Sequence, residues 1–172
     1  MNMQELRTAR LHLRAPVLAD APALAAALDD FEISRWLAPV PFPYTLSDAE
    51  WFIGEVTAGR MGALIIDDGE IAGVIGLDDG TLGYWLARRA QGQGYATEAA
   101  EAVVGWAFAQ GLDRLLSGHF TDNSRSARVL EKLNFRPTGV EMLGCRARGG
   151  DFPSRRMALA RADWLERKAA IR

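Results

Sequence analysis

The sequence predicts a single α/β domain with a mixed, mostly antiparallel sheet of seven strands flanked by helices. Apolar runs in the middle of the chain are separated by Asp-Gly turns, which favours an antiparallel meander. A glycine loop and a long helical segment then lie between two further strands, and such a unit joins parallel strands by a right-handed crossover. The length of 172 residues, 49% of them hydrophobic, suits one domain, residues 1–172, with its own core.

The first predicted elements are a short strand and a helix. Residues 11–14 alternate apolar and polar side chains, which is typical of a half-buried strand. The alanine-rich segment 18–28 predicts a helix with Asp20 and Pro22 in its first turn, and a short helical piece is expected over 31–37. Three prolines at positions 39, 41 and 43 then predict a loop, because proline lacks the amide that a helix interior needs.

A capping box predicts the next helix. Ser47 can accept a hydrogen bond from the amide three residues further on, and Glu50 can reach back to the start. We therefore expect a helix from Ser47 to about Ala58. The meander follows, with strands expected over 63–67, 71–77 and 82–87 and turns over 67–70 and 78–80.

The second half of the chain alternates helices and strands. Small and apolar residues recur on one face of the segment after Gly94, which predicts a long helix, and a strand is expected over 115–120. A second helix over 124–133 ends at Asn134, a residue type that tolerates the left-handed conformation. Closing strands are expected over 135–142 and 154–160 around an irregular loop, and one or two helical turns over 161–168.

Composition excludes several classes of protein. The net charge is −2, which provides no strong field to attract nucleic acid or an anionic membrane, so neither is expected as a partner. Cys145 is the single cysteine, no apolar leader begins the chain, and no stretch approaches 18 uninterrupted apolar residues. We expect a cytoplasmic protein, either a monomer or a homodimer, without a metal site.

The glycine loop is the strongest chemical signal. Gly92 and Gly94 stand between an expected strand and an expected helix, where backbone amides and the helix N-terminus favour a pyrophosphate. A Walker A loop would need Gly-Lys-Ser/Thr, which is absent, and a dinucleotide fingerprint would need Gly or Ala in place of Thr97. A third interpretation fits better: a cofactor whose pyrophosphate lies on the loop while its extended arm pairs with a strand edge.

Three motifs occur in order along the second half of the chain. They are Leu82-Gly83-Tyr84-Trp85-Leu86, Arg89-x-x-Gly92-x-Gly94-Tyr95-Ala96-Thr97-Glu98-Ala99, and Asn123-x-x-Ser126-x-x-Val129-Leu130-Glu131-Lys132-Leu133-x-Phe135. With these motifs the sequence resembles the GCN5-related N-acetyltransferase (GNAT) superfamily, specifically its ribosomal-protein N-terminal acetyltransferase branch. The opening segment 8–14 is also similar to the usual first strand of that branch, and the resemblance extends from Thr8 to about Leu159.

The resemblance implies acetyl-CoA as the donor, CoA as the product, and a sheet splayed between its fourth and fifth strands. The pantetheine arm is then expected along Leu86, Ala87 and Arg88. The pyrophosphate is expected on the loop from Arg89 to Thr97, chiefly on the amides of Gln91, Gly92, Gln93, Gly94, Tyr95 and Ala96. Asn123 matches the asparagine that contacts the arm, and Ser126 matches the serine proposed to protonate the leaving thiolate.

The resemblance also implies a primary amine as the acceptor, attacking directly in a ternary complex. The base that deprotonates this amine stays open, because Thr81 stands where the branch often carries a glutamate. Asp78, Asp79 and Glu50 are candidates, directly or through water, although for each the structural interpretation, as a hairpin-turn residue or a helix-cap partner, is favoured. The missing glutamate also favours the alternative of a non-catalytic acetyl-CoA-binding or sensing module.

Aromatic residues indicate where the acceptor binds. Trp36 and Tyr44 flank the proline loop, and the resemblance implies an acceptor cleft there, although structural packing explains these aromatic residues equally well. Tyr84 and Trp85 are neighbours on one strand, so they face opposite sides and divide between the core and this cleft. A protein N-terminus, an amino acid, a polyamine and an aminoglycoside all satisfy the reaction.

Overall fold

A computed structural model describes residues 3–170. Its strands are β1 (Leu6–Arg7), β2 (His12–Arg14), β3 (Ala63–Asp67), β4 (Ile71–Asp78), β5 (Thr81–Leu86), β6 (Arg114–Phe120), β7 (Arg136–Cys145) and β8 (Gly150–Ala160). Its helices are α1 (Ala21–Leu28), α2 (Phe31–Ser34), α3 (Leu46–Thr57), α4 (Tyr95–Ala109), α5 (Ser124–Lys132) and α6 (Arg161–Ala170). Two 3₁₀ turns, Leu18–Asp20 and Arg88–Ala90, precede α1 and follow β5.

The strands form one mixed sheet in the order β1-β2-β3-β4-β5-β6-β8-β7. Only the neighbours β5 and β6 are parallel, and α4 lies between them in the chain, which confirms the predicted crossover. Within residues 3–170 the sheet has eight strands in place of the predicted seven. The additional strand, β1, has two residues and pairs with β2, and so short a segment leaves no alternation to detect in the sequence.

The helix α3 starts earlier than predicted, so the assignment of the capping box to Ser47 and Glu50 is wrong. The cap is Thr45, whose Oγ1 accepts from the Asp48 amide at 3.2 Å while Asp48 Oδ2 accepts from the Thr45 amide at 2.8 Å. Both pairs have the required spacing of three residues. The structure uses the first pair, and Glu50 is exposed within the helix.

The closing strands are longer than predicted. The expected irregular loop between them is instead the end of a long hairpin, in which Cys145 pairs with Gly150. Nine of the ten residues of β7 are exposed, so this strand lacks the apolar alternation by which its length could be recognised. The left-handed Asn134, with a φ of 70°, ends α5 as predicted.

The core consists of two apolar layers, one on each face of the sheet. Leu64 and Ile66 belong to the layer that packs under α4 and α5. Their neighbour Ile65 belongs to the second layer, with Leu24 of α1 and Ile53 of α3. This alternation follows from the strand period of two. The central sheet is therefore packed against apolar side chains on both faces.

Strands β5 and β6 are joined only at their beginnings. Thr81 pairs with Leu116, the Leu116 amide donates to the Gly80 carbonyl at 2.9 Å, and Ser117 Oγ donates to the Leu82 carbonyl at 2.9 Å. Beyond these contacts the described residues form no backbone bridge between the two strands, which diverge toward Leu86 and Phe120. We call this opening the split, and it corresponds to the expected splay of the sheet.

Candidate functional site

The glycine loop lies on one side of the split, directly after β5. Gly92 and Gly94 have positive φ values of 78° and 82°, which the other residue types rarely adopt. Gly94 is the N-cap of α4 and has no side chain to cap its first amides. The amide groups at the start of α4 are therefore available to an anion, and the helix dipole favours one there.

The polar side chains around the loop are engaged within the protein. Gln93 Nε2 donates to the Arg89 carbonyl at 2.9 Å, and Gln91 Nε2 donates to the Leu86 carbonyl at 3.1 Å. Arg89 forms ion pairs with Asp68 at 2.8 Å and Glu70 at 3.2 Å. The hydrogen bonds from Arg89 lower the pKa of the Asp68 carboxyl. In this arrangement the loop presents the backbone amides at the start of α4 as donors.

The edge of β5 faces the split. The Ala87 amide donates to the Ala72 carbonyl of β4 at 2.8 Å. Because successive residues of a strand point their backbone groups to opposite edges, those of Leu86 face away from β4 and toward β6. The Leu86 carbonyl already accepts from Gln91, and Arg88 turns away to bind Asp30.

The start of α5 forms the opposite side of the split. Asn123 is the N-cap of α5, and its Oδ1 accepts from the Ser126 amide at 3.1 Å. Ser126 Oγ lies 2.9 Å from the Tyr84 hydroxyl on β5, and the Ser126 carbonyl lies 3.3 Å from it. Burial raises the pKa of Tyr84 to about 12, although the bond with Ser126 opposes this rise. Tyr84 is thus a neutral hydrogen-bond donor at neutral pH, and it joins both sides of the split.

A cleft of about 260 Å³ opens between these elements and α2. Its walls are Glu32, Ile33, Trp36, Arg88, Gln91, Asp122, Asn123, Ser124 and Arg125. The sequence-predicted residues Trp36, Arg88, Gln91 and Asn123 therefore meet at one place. Sequence reasoning missed the two carboxylates of the cleft. Asp122 directly precedes a recognised motif, whereas no pattern in the sequence distinguishes Glu32.

The turn between β7 and β8 closes one side of the cleft. The Arg146 amide donates to the Ala38 carbonyl at 3.1 Å. The Arg148 guanidinium lies 3.6 Å from the centre of the Phe152 ring and 5.7 Å from that of Trp36, and it binds Asp122 at 3.0 Å. This arginine holds Asp122 and the aromatic wall in one arrangement.

The three carboxylates predicted as candidate bases lie away from this cleft. Asp78 and Asp79 form the hairpin turn at the opposite end of β5, and Asp79 precedes Leu86 by roughly 23 Å of extended strand. Glu50 is exposed on α3. Thr81 lies at the closed end of the split, where it pairs with Leu116.

The predicted aromatic residues divide between the cleft and the core. Tyr84 packs against the layer under α4 and Trp85 against the layer under α1 and α3, so the two do face opposite sides. Tyr44 is buried in the second layer, and burial raises its pKa to about 12. Of the four aromatic residues, only Trp36 lines the cleft.

Two further properties concern residues 3–170. Within that range no group of three or more His, Cys, Asp or Glu side chains could hold a metal ion. None of the helices in the same range is both long enough and apolar enough to span a bilayer.

Comparison with known proteins gives consistent results. The family model for an acetyltransferase (GNAT) domain matches residues 10–136. The chain is similar to the uncharacterized N-acetyltransferase YoaA of Bacillus subtilis, with 30% identity over 78% of this chain and 84% of YoaA. It is also similar to the uncharacterized N-acetyltransferase p20 of Bacillus licheniformis, with 27% identity over 80% of this chain and 85% of p20.

Solved structures share the fold. The structure of Mycobacterium smegmatis RimJ in complex with CoA-disulfide superimposes with a TM-score of 0.77 at 23% identity. The superposition covers 98% of this chain and 93% of RimJ.

Proposed function

Since the chain belongs to the GNAT acetyltransferase family, we propose that it transfers an acetyl group from acetyl-CoA to a primary amine by direct attack in a ternary complex. The observation that carries this proposal is the split, with uncapped amides on one side and Ser126 on the other. The fold that this chain shares with RimJ in complex with CoA-disulfide supports the assignment of the donor.

The glycine loop fits the diphosphate of acetyl-CoA. A Cβ atom placed on Gly92 would have no heavy atom within 4 Å, so the space above the loop is open to a ligand. The donors are backbone amides at a helix N-terminus, a combination suited to phosphate oxygens. Bound acetyl-CoA supplies an activated acyl group and a thiolate leaving group. The edge of β5 at Leu86 and the Asn123 side chain then hold the extended arm within the split.

Ser126 is the hydrogen-bond donor that we assign to the leaving sulfur. Tyr84 remains protonated at neutral pH and can donate to Ser126 Oγ, which leaves the serine proton free to point into the split. A hydroxyl is a weak acid, so this pair acts mainly by orienting and stabilising charge. Alignment of two bound reactants contributes roughly 7–11 kcal/mol in favourable cases, more than a single donor does.

Glu32 is the carboxylate that we assign to the amine, acting through water. Both Glu32 and Asp122 line the cleft, but Asp122 is held by two bonds from Arg148. Glu32 has one bond, from Arg35 at 3.3 Å, and its side chain is 57% exposed. A water molecule can therefore reach Glu32 and carry the proton away from an amine in the cleft. The cleft admits a small amine or a protein N-terminus, and the resemblance to the ribosomal-protein branch supports the latter.

Calorimetric titration followed by a thiol-release assay tests the proposal. Acetyl-CoA should bind with micromolar affinity, CoA should bind as the product, and NAD and ATP should not bind. A panel of amines and short peptides should then include an acceptor that releases thiol. Binding without thiol release from any amine would favour the sensing module that Thr81 suggests. No binding at millimolar acetyl-CoA would contradict the assignment of the donor.

A further inference from the structure

Arg10 lies between β1 and β2, yet its side chain reaches the glycine loop 83 residues further along the chain. Its Nη1 donates to the Gln93 carbonyl at 3.0 Å, and its Nε donates to Glu98 Oε2 at 2.7 Å. Its Nη2 lies 2.6 Å from the same Glu98 oxygen, and the guanidinium lies 4.8 Å from the Tyr95 ring centre. One side chain thus contacts both the loop backbone and the first turn of α4.

Glu98, in the first turn of α4, is the residue that Arg10 binds most extensively. Its Oε1 accepts from Thr8 Oγ1 at 2.6 Å and from the Arg10 amide at 3.0 Å, in addition to the two bonds on Oε2. Burial would raise the pKa of Glu98, but the hydrogen bonds from Thr8 and Arg10 outweigh it and lower the pKa. Glu98 is therefore a carboxylate at neutral pH, and Arg10 offsets its negative charge beside the anion site.

The connection matters for the loop because two of its residues are glycines. Gly92 and Gly94 have few steric restrictions, so their conformation depends on the contacts of their neighbours. Among the described residues that are distant from Gly94 in sequence, Arg10 alone comes within 4 Å of a Cβ placed on this glycine, with its Nη2 at 3.5 Å. The side chain of Arg10 is 49% exposed and lies outside both core layers. Its loss would therefore release the loop without opening the core.

We propose that Arg10, acting through Gln93 and Glu98, is a positioning residue for acetyl-CoA. It holds the amides at the start of α4 in the arrangement that accepts the diphosphate, and it cancels the charge of Glu98 next to that diphosphate. This inference rests on the proposed function, because it names a further residue for the same donor site. Arg10 does not contact the split at Ser126, so the chemical step does not depend on it.

The test compares Arg10→Met with Arg7→Met by calorimetric titration with acetyl-CoA. Arg7 and Arg10 line one surface groove, and the exposed Arg7 side chain makes no hydrogen bond or ion pair within residues 3–170. Both variants therefore lose one positive charge there. R10M should weaken acetyl-CoA binding about tenfold or more, the factor that corresponds to one charge-assisted hydrogen bond. The kcat at saturating acetyl-CoA and the KM for the amine should stay within about twofold of the parent, and R7M should bind as the parent does.

A second variant, Arg10→Lys, separates position from charge. Lysine keeps the charge, but its single nitrogen cannot replace the three guanidinium nitrogens that bind Gln93 and Glu98. R10K should therefore bind acetyl-CoA almost as weakly as R10M. If thermal unfolding shows that R10M is unfolded, R10K alone tests the inference. Normal affinity in either variant, or an equal loss of kcat, would overturn the inference. Failure of the parent protein to bind acetyl-CoA would instead overturn the proposed function.

Discussion

The proposed site has a donor side and an acceptor side, and the two are built differently. The donor side uses backbone amides and a strand edge from one continuous stretch, residues 86–98, with Asn123 and Ser126 opposite. The acceptor side is made of side chains from distant segments: Glu32 and Trp36 near α2, Asp122 after β6, and Arg148 in the last hairpin. A site made of backbone is set by a few glycines and a short motif, whereas a site made of side chains depends on how the whole chain folds.

The largest expected effect comes from blocking the backbone-built side. Gly94→Glu introduces a side chain and a negative charge where the diphosphate should bind, and it also strains a residue with a φ of 82°. Calorimetry should find no acetyl-CoA binding. Gly111→Glu is the matched control, because Gly111 has a φ of 93° and lies after α4, away from the loop. If G94E is folded and binds normally, the donor side is assigned to the wrong loop.

The next effect concerns the contact that joins β5 to α5 across the split. Ser126→Ala should lower kcat by about a hundredfold while the Kd for acetyl-CoA changes little, because one oriented donor is lost. Tyr84→Phe should lower kcat less, since it removes only the donor that orients Ser126. When S126A is already present, adding Y84F should lower kcat very little further. Independent, additive losses in the double variant would show that Tyr84 does not act through Ser126.

A smaller effect is expected on the acceptor side. Glu32→Gln should lower kcat/KM for the amine about tenfold, less than the hundredfold typical of general-base catalysis, because an exposed carboxylate acts here through water. Asp79→Asn removes a charge in the distant hairpin turn and should leave kcat/KM unchanged. If steady-state assays instead found a lower kcat/KM in D79N and an unchanged value in E32Q, the base would be Asp79 in the hairpin turn.

The smallest effect is on stability. The pKa of Glu98 is lower in the folded protein than its ordinary value of 4.5, so its bonds stabilise the fold above about pH 4.5. This contribution is lost as the pH falls through the lowered pKa. R10M should therefore be less stable than the parent by about 1 kcal/mol at pH 7, since the pair is partly exposed, and the difference should vanish in acid. Urea unfolding at several pH values measures this, and R7M should show no such trend.

Local patterns in the sequence identify much of the fold. The Asp-Gly turns, the crossover and the end of α5 at Asn134 all depend on short-range chemistry, and the structure agrees with each. The start of α3 and the length of β7 do not have a unique local signal. Two capping pairs compete at α3, and β7 is exposed along almost all of its length. Tertiary contacts therefore determine where α3 begins and how far β7 extends.

The candidate site divides in the same way. Gly92, Gly94, Asn123 and Ser126 stand in motifs, so their meeting could be predicted. Arg10 meets Glu98 only because the turn between β1 and β2 lies beside the start of α4, 88 residues away in sequence. Neither residue shows its partner in the sequence, because charged side chains are common on any surface.

The single bridge between β5 and β6 has a consequence for solubility. Unpaired strand edges usually lie at the borders of a sheet, where a second polypeptide can add to them and start aggregation. This protein opens its sheet in the middle, between β5 and β6, with α4 and α5 over one face. A foreign strand cannot pair along the whole of this edge, because β6 already pairs with β5 at Thr81. The backbone groups of β5 can therefore remain unpaired and bind a slender ligand without forming an outer sheet edge that promotes self-association.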